Sequence, residues 1–174
     1  MATEELTEKY MVAAKEFSNA LSAIGFDMAG VLWAYDNEDE RFVLIVITDV
    51  FDAKGPLEIS KQLFRAYNAS LTPKEIDPFF VRLLSTNHTA AKNFLMVVHS
   101  DWKVMHYTKD TPEFAVRNNT AKGTVLTLED YSDSEVTIRP EWVVMLKPFH
   151  NPRKKHEINR KWDFFKRNLD RLAA

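Results

Sequence analysis

The C-terminal segment from Arg153 to Leu172 carries the pattern that most constrains the fold of this chain. Its apolar residues recur at intervals of four and three, which places them along one face of an α-helix. These residues are Ile158, Trp162, Phe165, Leu169 and Leu172. A seam of this kind has to be covered, either by the chain's own domain or by a partner. The spacing therefore predicts an amphipathic helix whose apolar side is buried.

The same segment concentrates positive charge in a chain that is otherwise acidic. From Lys147 to the C-terminus there are nine Lys/Arg and three Asp/Glu, whereas the preceding residues hold 14 Lys/Arg and 22 Asp/Glu. The predicted helix is thus basic and the body is acidic. The side chains that we consider as a contact for a partner or for nucleic acid are Arg153, Lys154, Lys155, Arg160, Lys161, Lys166 and Arg167, and Arg171 widens the same side.

Three interpretations of this basic helix remain open at the level of sequence. The first is a terminal helix that buries its seam in its own domain and leaves a solvated basic side. The second is a contact for phosphates or for another acidic partner. The third is binding at a membrane surface, since basic helices with Trp and Phe can lie among lipid headgroups.

The remaining patterns predict an α+β fold, with a mostly antiparallel sheet, flanking helices and the C-terminal basic amphipathic helix. Apolar residues at helical spacing indicate a helix over residues 4–24, capped by Thr3 and ended by Gly25. A hairpin with a polar turn at residues 36–40 follows, and its near-continuously apolar second strand, 42–48, is expected to be central. Pro56 then opens a helix over 56–68.

The patterns that indicate helices and strands are weaker in the rest of the sequence. Residues 49–55 are interpreted as a polar loop, and Thr111 followed by Pro112 is interpreted as the start of a short helix. Alternating segments at 123–128, 135–139 and 142–146 are predicted to be strands. We expect residues 1–147 to form one α+β globular domain, and residues 148–174 to form a linker and the basic helix, docked on that domain.

Motifs that would indicate an enzyme are missing from the sequence. The chain has no cysteine, which excludes disulfides, thiolate catalysis and cysteine-bound zinc. It has no G-x-G-x-x-G, no P-loop, no G-x-S-x-G and no HExxH, and its five histidines are scattered. These observations favour a non-enzymatic interaction or accessory protein without a metal or other cofactor.

One triplet matches a motif that is catalytic in other proteins. Asp52-Ala53-Lys54 follows an apolar strand, and metal-dependent nucleases of the PD-(D/E)xK type use such a triplet, with carboxylates on a divalent ion and a lysine near the attacking water. Asp49 or Asp27 would supply the second carboxylate. About two (D/E)xK matches are expected by chance from this composition, and two occur. A nuclease site at Asp49, Asp52 and Lys54 is therefore kept as an alternative to nucleic-acid binding by the basic helix.

Residues 30–67 resemble a group of small uncharacterised bacterial proteins. The shared features are the run from Gly30 to Tyr35, a polar turn, an apolar strand, and Gly55-Pro56 opening a helix. Since that group has no assigned activity, the resemblance implies a bacterial origin and no function.

Location and partners follow from simple patterns. The N-terminal residues are acidic and no apolar signal-peptide core follows them, so we expect a cytoplasmic protein. The longest strongly apolar run, 42–48, is too short to span a bilayer. A protein partner or a second copy of the chain is expected if the C-terminal seam is bare, and nucleic acid if the basic side is a binding surface.

Overall fold

A computed structural model describes residues 5–88, 91–92, 105–108, 111–116, 126–129, 135–147 and 153–174. The helices are α1 (Glu8–Ala23), α2 (Val50–Lys54), α3 (Pro56–Asn68) and α4 (Lys155–Leu172), with 3-10 turns at Pro78–Phe80 and Pro140–Trp142. The strands are β1 (Gly30–Asp36), β2 (Arg41–Thr48), β3 (Val81–Ser85), β4 (Met105–Thr108), β5 (Thr111–Val116), β6 (Leu126–Glu129), β7 (Glu135–Ile138) and β8 (Val143–Leu146).

These strands form one mixed sheet. Its order is β3-β2-β1-β7-β6-β4-β5. Strands β7 and β8 pair with the same edge of β1, β8 with its first residues and β7 with its last. The β2–β3 and β4–β6 pairings are parallel, whereas the other pairings described are antiparallel. The predicted α+β class with a mostly antiparallel sheet is confirmed.

Strand β2 is the centre of the core, as its apolar run predicts. It lies between β1 and β3, and its residues from Val43 to Thr48 are all buried. Alternate side chains point to opposite faces of a strand. Leu44 and Val46 pack with residues of α1, α3 and α4, whereas Val43, Ile45 and Ile47 pack with Leu32, Ala34, Leu84, Ala91 and Ile138. The helices α1, α3 and α4 therefore share one face of the sheet.

Helix α1 ends as its sequence predicts. Gly25 has a φ of +102°, its N–H donates to the Ser22 carbonyl, and the Phe26 N–H donates to the Leu21 carbonyl. This pattern is a Schellman motif, which needs a left-handed residue at the position that glycine fills. The helix begins at Glu8 rather than near residue 4, with Thr7 at the N-cap, and the predicted cap Thr3 lies outside the described residues.

Two predictions for local structure are wrong. Residues 50–54 form helix α2 rather than a loop, since Val50 is buried and anchors the turn against the core. Thr111–Val116 is strand β5 rather than the start of a helix, and it pairs with β4. Pro112 is compatible with β5 because β5 is the last strand in the sheet order, and edge strands are where sheets accommodate proline.

The apolar seam of α4 is buried in the chain's own core. Ile158, Trp162, Phe165 and Leu169 belong to the same cluster as α1, α3 and the inner face of the sheet. Phe26, which follows α1, packs against the rings of Trp162 and Phe165 with centroid separations of 6.2 and 5.2 Å. The seam is covered within one chain, and it does not require a second copy to cover it.

The last residue of the predicted seam behaves differently from the others. Leu169 is completely buried, whereas Leu172 is 48% exposed. We expect Leu169→Ala to lower the free energy of unfolding by about 2–5 kcal/mol, because it leaves a cavity, and Leu172→Ala by less than about 0.5 kcal/mol. Urea unfolding followed by circular dichroism measures both. Equal effects of the two substitutions would contradict the burial of the seam.

Candidate functional site

Polar side chains converge at one end of the sheet. The C-terminal ends of the parallel strands β2 and β3 lie side by side, which brings Asp49 and Ser85 to the same edge. Gly30 at the start of β1 is in register with Ile47 of β2 and with Leu146 of β8, so Asp27 and Lys147 arrive at this edge as well. Such an edge is where open sheets of mixed helix and strand place their ligands.

Arg153 joins this edge to the start of α4. Its Nε and Nη2 donate to the two carboxylate oxygens of Asp49 at 2.6 and 2.5 Å, and its Nη1 donates to Oδ2 of Asp27 at 2.5 Å. The three side chains are each about one-fifth exposed. Hydrogen bonds to Asp49 raise the pKa of Arg153 above its ordinary value, against the opposing effect of burial. This is a two-pronged guanidinium–carboxylate contact, the strongest geometry for such a pair.

Asp27 is surrounded by cations. Lys147 Nζ donates to its Oδ1 and Lys161 Nζ donates to its Oδ2, each at 2.9 Å, in addition to the contact from Arg153. Burial raises the pKa of Asp27, but the hydrogen bonds from Lys161 and Lys147 and the charges of Lys147 and Arg153 outweigh it and lower the pKa to about 2. We call Asp27, Asp49, Lys147, Arg153 and Lys161 the inner charge cluster.

Asp52 lies beside this cluster with different partners. Its Oδ2 accepts from Ser85 Oγ at 2.5 Å and from Asn87 Nδ2 at 2.9 Å, while the Asn87 N–H donates to Ser85 Oγ at 2.9 Å. These bonds hold α2 against the end of β3. Asp49, Asp52 and Lys54 are thus near one another in α2 and its cap, but both oxygens of Asp49 already accept from Arg153. A metal ion would have to displace that guanidinium.

No group of three or more His, Asp or Glu suited to a metal ion occurs in the part of the chain that the structure describes. Asp27, the other carboxylate considered for the nuclease site, is held by Lys147, Arg153 and Lys161 instead. Asp27 and Asp49 are thus brought together by a shared cation, Arg153, which occupies the space between their carboxylates.

The seven basic residues predicted as a contact divide into two sets. Arg153 and Lys161 belong to the inner charge cluster, and Lys166 Nζ lies 3.6 Å from Glu58 Oε1 on α3. The other four are exposed and form no ion pair with any described residue: Lys154, Lys155, Arg160 and Arg167. The first set fastens α4 to the body, and the second lies exposed at the surface.

Opposite the seam, α4 presents a second pattern, of which the sequence analysis named the arginines but not the phenylalanine. Arg160, Phe164, Arg167 and Arg171 are spaced by four, three and four residues, so they share the side of the helix opposite the seam, where one edge of Phe164 also touches Gly25. All four are exposed, and Phe164 is 50% exposed. We call them the outward face of α4. The spacing of Phe164 relative to Arg160 and Arg167 is visible in the sequence, but its exposure depends on how the helix is oriented by the buried seam.

Comparisons with protein-family models, with curated proteins and with solved structures find no match. The resemblance of residues 30–67 to small bacterial proteins therefore stays a prediction. Among the described residues, the helices are all too short or too polar to cross a membrane.

The low pKa of Asp27 predicts an acid-sensitive contribution to stability. Because the pKa in the fold, about 2, is below the ordinary 3.8, charged Asp27 stabilises the fold above about pH 4, and this contribution is lost as the pH falls toward 2. Allowing for solvent screening at a partly exposed site, we expect Asp27→Asn to cost about 1–2 kcal/mol at pH 7.

Urea unfolding of the wild type and of Asp27→Asn between pH 7 and pH 2.5 measures this contribution. The difference between them should shrink between pH 4 and pH 2.5. Glu16→Gln, which neutralises an exposed carboxylate on α1, controls for the change in net charge. A constant difference over the whole range would contradict the assignment to Asp27.

Proposed function

We propose that this chain is a non-enzymatic binding protein that recognises an acidic partner through the outward face of α4. Arg160, Arg167 and Arg171 supply the charge, and Lys154 and Lys155 extend it toward the N-terminal end of the helix. A cytoplasmic location belongs to the same proposal, because acidic proteins and nucleic acids are both accessible there.

One observation carries this proposal. The cations of the C-terminal segment are sorted by position: those at the flanks of α4 contact Asp27, Asp49 or Glu58, whereas Arg160 and Arg167 point away from the body and form no ion pair with a described residue. A helix that needed charge only for attachment would be served by the first set. The second set adds a local positive field on an otherwise acidic chain.

The acidic body limits the strength of such binding. The body carries an excess of eight negative charges, so a polyanion is attracted only within a short distance of α4. At physiological salt, charges separated by more than about 8 Å are largely screened. The acidic body therefore weakens association with a polyanion less than its net charge suggests. Because the attraction to the arginines of α4 is itself electrostatic, binding should be strongest at low salt.

A nuclease at Asp49, Asp52 and Lys54 is the competing proposal. The bidentate contact of Arg153 with Asp49 weighs against it, because an ionised carboxylate that already accepts two charge-assisted hydrogen bonds is a poor ligand for a free ion. We expect no cleavage of single- or double-stranded DNA with Mg²⁺ or Mn²⁺. Cleavage that requires the metal and is lost in Asp52→Asn would overturn the non-enzymatic proposal.

Charge reversal of the outward face tests the proposal directly. We expect the wild type to be retained on immobilised heparin, a sulfated polyanion, at 50 mM NaCl, and Arg160→Glu/Arg167→Glu to flow through. Both arginines are exposed, so the double variant should keep its unfolding midpoint.

A matched control separates local from global charge. Lys15→Glu/Lys61→Glu makes the same change in net charge at exposed lysines on α1 and α3. This variant should elute close to the wild type. If both double variants lose retention equally, the net charge of the chain and not the outward face governs binding, and the proposal fails.

A further inference from the structure

We infer that the acidic partner is single-stranded nucleic acid, and that Phe164 stacks on one of its bases while Arg160 and Arg167 contact the phosphates on either side. This inference rests on the proposed function, and it names the class of ligand that the outward face of α4 takes.

The position of Phe164 is the first step. It is four residues after Arg160 and three before Arg167, and residues at these separations are neighbours on a helix surface. The two arginines lie about 10 Å apart along the helix axis, with the ring between them. A strand laid along α4 can therefore place phosphates on both guanidinium groups and a base on the ring.

The exposure of Phe164 is the second step. The apolar seam buries Trp162 and Phe165, which are 3% and 0% exposed, whereas Phe164 keeps a large exposed surface beside its contact with Gly25. Half of its surface remains in contact with water. An exposed aromatic ring among arginines is typical of sites that bind single strands, where each stacked base contributes about 1–3 kcal/mol.

Support of the ring is the third step. A side chain at Gly25 would place its Cβ 2.6 Å from Cδ1 and 3.0 Å from Cε1 of Phe164, so this edge of the ring lies against the glycine. Gly25 is fixed by the Schellman motif at the end of α1, with a φ of +102°. One edge of the ring is thus held by a rigid turn. A ring held in this way loses little side-chain freedom when a base stacks on it.

The geometry favours a single strand over a duplex. In a duplex the bases are stacked on one another, so a ring on a helix surface reaches the backbone and the base edges but not the base faces. In a single strand the faces of the bases are free to meet an aromatic ring. We favour a single strand over a folded acidic protein because every nucleotide pairs a phosphate with a flat base, which matches alternating arginines and an aromatic ring.

Of the three acidic residues on α4, Asp163 is the one next to the proposed stacking ring. Asp163 is exposed and adjacent in sequence to Phe164. We expect Asp163→Asn to tighten binding of a single strand about two- to threefold, since it removes repulsion near the phosphates.

Fluorescence anisotropy with a labelled dT 20-mer and with a duplex of the same length tests the inference on the full chain at 50 mM NaCl. We expect tighter binding of the single strand, and a decrease in affinity of about 5- to 100-fold for Phe164→Leu, which keeps an apolar cover over Gly25 but cannot stack. Phe164→Trp should keep the affinity. Phe79→Ala, which removes a phenylalanine that is 78% exposed and lies outside α4, should leave it unchanged.

The outcomes separate the inference from the proposed function. If heparin retention depends on Arg160 and Arg167 but single strand and duplex bind equally and Phe164→Leu has no effect, the inference fails and the proposed function stands. If the control variant Lys15→Glu/Lys61→Glu also loses heparin retention, both the inference and the proposed function fail. Binding to phosphatidylserine vesicles that depends on Phe164, without binding of dT, would assign the face to a membrane and overturn the inference.

Discussion

Burial of the α4 seam against the inner face of the sheet is the contact on which the rest of the structure depends. Phe165 and Leu169 are completely buried among residues of α1, β1, β2 and α3. Because the seam occupies the same core that these elements share, α4 is part of the domain rather than a tail attached to it. Burial on one side also fixes which side chains face water, and so it fixes the outward face.

Charge then distinguishes the two sides of the helix. The inner charge cluster pairs Arg153 and Lys161 with Asp27 and Asp49, which lie at the ends of strands far from α4 in sequence. Ion pairs of this kind contribute most when they are partly shielded and geometrically fixed, as the bidentate contact of Arg153 is. Arg160 and Arg167 form no ion pair with the described part of the chain. The helix therefore joins an attached side to an exposed basic side, which the proposal assigns to binding.

The sequence predicted what depends on local pattern and missed what depends on distant pairing. Helical spacing located α1, α3 and the α4 seam, and the apolar run at 42–48 located the central strand. The contact of Arg153 with Asp27 spans 126 residues, and it follows from the pairing of β1 with β8, which no local pattern specifies. The polar residues of 49–55 favour a loop, so the sequence did not indicate the short helix α2. Burial of Val50 in the core outweighs that preference. The exposure of Phe164 follows from the burial of the seam, which fixes the orientation of α4 on the sheet.

Nuclear magnetic resonance of the arginine Nε–H groups during titration with a dT 20-mer tests the division of cations most directly. The Nε–H of Arg153 should exchange slowly with water and keep its chemical shift throughout, because Asp49 holds it. The signals of Arg160 and Arg167 should exchange rapidly in the free protein and shift together as the oligonucleotide binds. A shift of Arg153 in step with binding, or unchanged Arg160 and Arg167 signals at saturation, would contradict the account.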